Sequence, residues 1–156
     1  MQKTLFLDRD GVINYDPGDY TSSLEEFVIL ADVPDAVQLA SEKGYKIIVI
    51  TNQGGIAKGL YTHEEVHRIH SYLRDQIPQI DAIFYSPHHP EYGNSLTRKP
   101  QSLLLERAIH RYKIDVSKSL MIGDKDRDIE CAARVGVKGI LIATNDSLLK
   151  YIQSLD

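Results

Sequence analysis

The stretch Thr4-Leu5-Phe6-Leu7-Asp8-Arg9-Asp10-Gly11 decides how this chain is read. Its apolar half has the length and residue types of a buried strand. It runs straight into two aspartates one residue apart, then a glycine. Side chains two apart on an extended backbone point the same way, so Asp8 and Asp10 can reach one small volume at the strand's carboxyl end. Open α/β sheets bind their ligands at that edge. Two carboxylates this close repel unless a cation or a shared proton separates them. Mg²⁺ favours a few oxygen ligands completed by substrate phosphate. Taken alone, the pattern also fits a solvated Asp-Gly turn after a strand.

Outward from this stretch, strands and helices alternate. Residues 12–20, with Asp16-Pro17-Gly18-Asp19, read as a loop or flap, and Val28-Ile29-Leu30 as a short strand. Asp32 and Pro34 suit a helix start, and Gly44 a stop roughly three turns on. Lys46–Ile50 is a second buried strand ending in Thr51-Asn52-Gln53-Gly54-Gly55. Thr62-His63-Glu64-Glu65 has the form of a capping box. The helix it opens should run to about Gln76, with Val66, Ile69, His70 and Leu73 inward. Ala82–Tyr85 is a third strand, followed by a polar loop and Thr97-Arg98-Lys99-Pro100. Pro100 is expected to start a helix. Leu120–Gly123 is a fourth strand, followed by Asp124-Lys125-Asp126-Arg127-Asp128 and a helix over Ile129–Val135. Gly139–Ile142 is a fifth, and Ser147 caps a last helix. This alternation implies one α/β domain over residues 1–156: a three-layer α/β/α, Rossmann-like parallel sheet with helices on both faces. Its polar clusters gather at one edge.

Composition sets bounds on the function. Hydrophobic residues make up 42% and charged residues 26%, ordinary for a globular chain. A net charge of -4 argues against nucleic-acid and anionic-membrane partners. Any phosphate chemistry must therefore use a local cationic pocket. Cys131 is the only cysteine, so no internal disulfide forms, and a reducing, cytoplasmic setting is expected. Met1-Gln2-Lys3 leads directly into the strand, which predicts no secretory leader, and no apolar run approaches the ~18 residues of a membrane span.

At that edge gather Asp8, Asp10, Thr51, Lys99 and Asp124. Three carboxylates can bind Mg²⁺, and one can attack phosphorus. Thr51 offers a hydroxyl and a neighbouring N–H to a phosphoryl oxygen, and Lys99 a point charge. A second carboxylate can protonate a leaving alcohol and then deprotonate water. Each residue also has a plain alternative: Thr51 as a strand end, Lys99 as a surface charge, Asp124 as a cap, Asp128 as an exposed helix residue. Four coincident placements at strand ends favour function.

The ordered set of DxDG, a strand with Thr-Asn, Lys-Pro, and Gly-Asp-Lys-x-x-Asp resembles the haloacid dehalogenase superfamily. Within it, FLDRDGVIN, VITNQGGIAKG, YSPHHP, RKP and MIGDK resemble the D-glycero-D-manno-heptose 1,7-bisphosphate phosphatases and the related histidinol-phosphate phosphatases. The likeness extends from Thr4 to about Ile142. It implies a phosphoaspartate-forming phosphoric monoester hydrolase with no large cap domain. In that scheme Asp8 is the nucleophile and Asp10 the general acid and then base. Asp8, the Asp10 carbonyl and Asp124 hold Mg²⁺, while Thr51 and Lys99 steady the phosphoryl group. Arg98, Lys125 and Asn52-Gln53-Gly54 bind the rest of the substrate beneath a flap that includes Asp16, and Asp128 lends support. The implied partner is a small phosphorylated sugar and the expected state a monomer.

The chain departs from its relatives in one loop. Many hold the segment before Arg-Lys-Pro with a zinc on Cys-x-His and Cys-x-Cys. The matching residues here are Ser86 and His88, then approximately Ser95 and Thr97. With no cysteine ligand, a tetrahedral N/S site is not expected, so no zinc is predicted. The loop must be held by packing, by hydrogen bonds, or by substrate. Gly54 stands where relatives often have serine. The Gly-Gly-Ile-Ala-Lys-Gly and Pro-His-His-Pro runs favour a heptose bisphosphate over histidinol phosphate. A mutase would need a large cap to shield the phosphoaspartate from water. A non-catalytic sugar-phosphate binder would need a damaged centre.

Overall fold

In the computed structural model, which covers residues 1–156, β1 (Thr4–Leu7) is the central strand of a five-stranded sheet. β2 (Lys46–Asn52) and β3 (Ile80–Ser86) extend it on one side, and β4 (Leu120–Gly123) and β5 (Lys138–Leu141) on the other. The order is β3-β2-β1-β4-β5 and every pairing is parallel. The chain thus winds outward from β1, then crosses back over it. That reversal makes the carboxyl end of β1 the topological switch point, where such sheets open a crevice. Asp8 follows β1 directly.

The strand residues alternate between two cores. Leu5, Leu7, Ile47 and Val49 face the layer of α1 (Val33–Glu42), α2 (His63–Gln76) and α5 (Leu148–Gln153). Phe6, Ile48, Ile50 and Met121 face the layer of α3 (Leu103–Tyr112) and α4 (Asp126–Arg134). Apolar residues at three of the four positions of β1 and at most of β2 are what a sheet covered on both faces requires. α2 buries Val66, Ile69, His70 and Leu73, as its spacing predicts. The longest connections, residues 8–32 and 87–102, hold only single 3-10 turns, and none forms an inserted cap domain.

Four local expectations are corrected. Val28-Ile29-Leu30 is not a strand. It bridges the loop after β1 through Asn14 and Ile29, with Leu30 N–H donating to the Ile13 carbonyl at 2.9 Å, so its partner is that loop and not the sheet. α3 starts at Leu103, not Pro100, because the chain turns first, with Gln101 N–H reaching the Arg98 carbonyl at 2.8 Å. α4 starts at Asp126, three residues early, and Asp128 accepts the Lys125 N–H at 3.1 Å. Thr62 caps α2 as expected, but Glu65 does not reciprocate; its carboxylate accepts the Leu24 N–H at 2.7 Å and so ties down the loop before α1.

Candidate active site

Four segments meet at the end of β1. Lys99, from the β3–α3 loop, is fully buried and its Nζ lies 2.8 Å from Asp8 Oδ1, 2.6 Å from Asp128 Oδ1 and 2.7 Å from the Ile50 carbonyl. Asp124, just past β4, completes the group, and one carboxylate oxygen each from Asp8, Asp124 and Asp128 lie within 4.8 Å of one another. Glycines make this approach possible. A Cβ on Gly11 would stand 2.4 Å from Asp124 Oδ2, and one on Gly123 would stand 2.3 Å from Asp128 Cβ.

Three buried carboxylates face one buried ammonium here, with a second, on the half-exposed Lys125, 3.5 Å from Asp124 Oδ2. Burial, then the Asp128 charge, pushes Asp8 up to about 8, against the pull of Lys99. Burial alone would lower Lys99, but Asp8 and Asp128 more than reverse it and hold the ammonium charged. The group is therefore short of positive charge. Asp124 Oδ2 accepts from the Thr144 hydroxyl at 2.8 Å, while its buried Oδ1 has no partner. The Asp10 carbonyl likewise accepts no protein hydrogen bond. The clustered carboxylate oxygens of Asp8 and Asp124, beside Asp128, are the kind of donor Mg²⁺ takes. Asp128 is engaged by Lys99 and the Lys125 N–H, in keeping with a supporting part. The carboxylate of Asp10 is not in this cluster, so any contribution it makes to a metal comes through its carbonyl.

That carboxylate points into a second network. Asp10 Oδ1 accepts from Arg9 Nη2 (2.8 Å) and Asn14 Nδ2 (3.0 Å), and Oδ2 from Gln53 Nε2 (3.0 Å). Burial works against ionisation, but Arg9 and these bonds prevail and hold Asp10 below the usual carboxylate range. Its side chain is 30% exposed against 8% for Asp8, so Asp10 is the one facing the cleft. Arg9 itself is buried against His70, whose Nε2 lies 3.2 Å from Arg9 Nη1. Burial, then the Arg9 charge, drives His70 down to about 3, so the ring is neutral and that nitrogen is free to accept.

The cleft encloses about 360 Å³ and is lined by Asp16 and Tyr20 of the flap segment and by Arg98, Lys125 and Arg127, among others. All six residues expected to bind substrate line it, and the amides of Gln53 and Asn52 are engaged on both their oxygen and nitrogen. Gln53 donates to both Asp10 and Thr51 Oγ1 (2.9 Å) and accepts from the Tyr61 hydroxyl (2.7 Å). The Asn52 carboxamide donates to the Lys99 carbonyl (3.1 Å) and accepts from the Lys99 N–H (2.9 Å). Arg98 has no carboxylate partner; its Nη1 donates to the His88 carbonyl at 2.9 Å. It lies across Gly54, where a Cβ would stand 2.8 Å from that nitrogen. Glycine at 54 thus makes room for the guanidinium.

The loop before Arg98 is held by hydrogen bonds, one of the three means expected. The Ser86 and Thr97 hydroxyls lie 2.8 Å apart, as do those of Ser95 and Thr97, and the Thr97 N–H donates to Ser95 Oγ at 3.1 Å. Sequence reasoning missed Arg9, Asn14, Tyr61, His70, Arg127 and Thr144. Arg9 carried a signal, since a cation between two aspartates in an apolar run must bury its charge against a neighbour. The others depend on contacts distant in the chain.

The sheet order and an acidic cluster at its switch point, with a buried lysine, define the haloacid dehalogenase type of α/β hydrolase. A HAD-hydrolase-like family model matches residues 96–153. A D-glycero-D-manno-heptose-1,7-bisphosphate 7-phosphatase of Chlorobaculum tepidum is 40% identical over 157 aligned positions, covering 91% of this chain and 79% of the relative. A D-glycero-beta-D-manno-heptose-1,7-bisphosphate 7-phosphatase of Haemophilus influenzae is 35% identical, covering 92% and 83%. The crystal structure of a D,D-heptose 1,7-bisphosphate phosphatase from B. bronchiseptica, complexed with magnesium and phosphate, superposes with a TM-score of 0.85 at 30% identity, covering 98% of this chain and 87% of that one. The chain belongs to the haloacid dehalogenase superfamily and, within it, to the heptose 1,7-bisphosphate phosphatase family of phosphoric monoester hydrolases.

Proposed function

We propose that this protein is a Mg²⁺-dependent phosphatase that removes one phosphate from D-glycero-D-manno-heptose 1,7-bisphosphate through a phosphoaspartate. The observation that carries this is the convergence on Asp8 of Lys99 at 2.8 Å and of Asp124 within 4.8 Å, from segments far apart in the chain. Bound to Asp8, Asp124 and the Asp10 carbonyl, the metal supplies the positive charge that keeps Asp8 ionised and screens the phosphate from it.

Asp8 attacks phosphorus with a carboxylate oxygen as the bond to the sugar oxygen breaks. Asp10 gives that oxygen its proton. The ligand-free site favours Asp10 as carboxylate, so the charge of the arriving phosphate must raise it for this first step. Asp10 then takes a proton from water as the water oxygen attacks phosphorus. The Asp8–phosphorus bond breaks, and phosphate leaves. Thr51 and Lys99 hold the phosphoryl oxygens throughout. Arg98, Lys125, Gly54 and the Asp16 flap contact the rest of the sugar. The expected setting is the cytoplasm, as a single-domain monomer; a reducing compartment suits a chain whose one cysteine is buried.

Phosphate release from heptose 1,7-bisphosphate, histidinol phosphate, fructose 1,6-bisphosphate and p-nitrophenyl phosphate, with and without Mg²⁺, tests this. The expected result is Mg²⁺-dependent turnover with heptose bisphosphate preferred. A strong preference for histidinol phosphate would overturn the substrate. Ligand binding without turnover of any compound would overturn the enzyme.

A further inference from the structure

The segment Thr97-Arg98-Lys99 carries two cations with different tasks under the proposed function, yet it belongs to no helix or strand. Side chains fix it at two points. At Lys99, the Asn52 carboxamide takes the place of a neighbouring strand: its Oδ1 accepts the main-chain N–H at 2.9 Å and its Nδ2 donates to the carbonyl at 3.1 Å. Asn52 ends β2, whose Ile50 carbonyl also receives Lys99 Nζ. Both ends of the lysine are therefore referred to one strand. At Thr97, the fixing group is the hydroxyl cluster. Ser86, fully buried at the end of β3, holds Thr97 Oγ1, and Ser95 holds its other side. Arg98 lies between these two points, with its guanidinium on the His88 carbonyl of the same loop.

We infer that Asn52 and Thr97 are positioning residues that divide the site's work: Asn52 sets Lys99 for the phosphoryl chemistry on any substrate, and Thr97 sets Arg98 for recognition of the rest of the substrate. This rests on the proposed phosphatase activity. Asn52 therefore acts through Lys99, although its place beside the cleft suggests a substrate contact. A misplaced catalytic group costs turnover on the order of 100-fold per ångström, whereas loss of one neutral hydrogen bond at a recognition residue costs about tenfold.

The test measures kcat and KM for Asn52→Ala, Asn52→Asp, Thr97→Val and Thr97→Ser with Mg²⁺, on p-nitrophenyl phosphate and on heptose 1,7-bisphosphate, alongside melting temperatures and tungstate affinity by calorimetry. Asn52→Ala should lower kcat on both compounds by about 100-fold. Asn52→Asp keeps the acceptor, loses the donor and sets a carboxylate against the Lys99 carbonyl, so it should lose turnover on both compounds too. It decides the matter should the alanine variant not fold. Thr97→Val should raise KM for the sugar bisphosphate by about tenfold and leave aryl phosphate kinetics nearly unchanged, with Thr97→Ser restoring wild-type behaviour. Near-normal kcat in a folded Asn52 variant would overturn the inference. So would an equal loss on both compounds in Thr97→Val. Absence of turnover in the wild type would instead sink the phosphatase reading. Tungstate affinity, expected to weaken in the Asn52 variants alone, would still report on the Lys99 clamp; unchanged affinity there would overturn it.

Discussion

Replacing Lys99 by methionine keeps most of the buried stem and removes the charge, which isolates the electrostatics of the acidic cluster. Lys99 Nζ is 2.8 Å from Asp8 and 2.6 Å from Asp128, and all three side chains are buried. At an effective dielectric constant near 20, each contact is worth roughly 6 kcal/mol of attraction, most of it offset by desolvation. Removing one partner of a buried pair typically costs about 3–5 kcal/mol, because the other charge is stranded. At about 2–4 °C per kcal/mol for a domain of this size, Lys99→Met in EDTA should melt roughly 10 °C below wild type at pH 8. The loss should shrink at lower pH. Asp8 is already pushed up to about 8, and without the pull of Lys99 it rises further. A carboxyl with a raised folded pKa favours folding most below its unfolded value near 4, and that contribution falls as pH rises through the folded value. Lys99 is shifted upward, so it stays charged in the wild type from pH 7 to 9 and adds no slope of its own. Asp8 is protonated in both folded proteins well below pH 8, so the gap should open as pH rises from 7 to 9, where the wild-type carboxyl ionises first, and Mg²⁺ should narrow it by restoring positive charge. Denaturant melts at pH 7 and pH 9, each with EDTA and with Mg²⁺, measure all four values. A loss below about 1 kcal/mol, or one indifferent to both pH and Mg²⁺, would refute the picture of a charge-deficient cluster.

Asp8→Asn should stay folded and lose turnover by several orders of magnitude in steady-state assays, since an amide is no nucleophile. The same variant without metal should be more stable than wild type at pH 8, because it removes a carboxyl that resists ionising there. Arg98→Ala should impair selectivity for the sugar phosphate and spare p-nitrophenyl phosphate; an equal loss on both would contradict its placement in the cleft. Gly123→Ala drives a Cβ to 2.3 Å from that of Asp128 and should cost a few kcal/mol in denaturant melts, with weaker Mg²⁺ binding. Purified protein analysed for metals should hold no stoichiometric zinc.

Much of the fold was legible because β1, β2 and β4 are apolar over nearly their whole length, and each ends in a polar group that terminates it. Lys99 and Asp124 could be set beside Asp8 on the same grounds, since strand ends in a parallel sheet share an edge. What stayed hidden depends on pairings that no local spacing encodes. The Val28–Leu30 segment has strand-like residues but pairs with the loop after β1. Asn52 and Gln53 line the cleft as expected of ligand-binding amides, but their partners, the Lys99 backbone and the Asp10–Tyr61 pair, could not be read from the sequence. Whether an amide serves substrate or scaffold is decided by what lies opposite it, across 47 residues for Asn52 and 43 for Gln53.

The hydroxyl cluster of Ser86, Ser95 and Thr97 has a chemical consequence beyond geometry. Hydroxyls are neither oxidised nor alkylated under conditions that destroy thiolates. The one sulfhydryl, on Cys131, is buried, donates to the Gln101 carbonyl at 3.3 Å, and is pushed up to about 11 by burial. Peroxide or iodoacetamide, at doses that silence thiol-dependent catalysts, therefore meets no exposed thiol at the cleft.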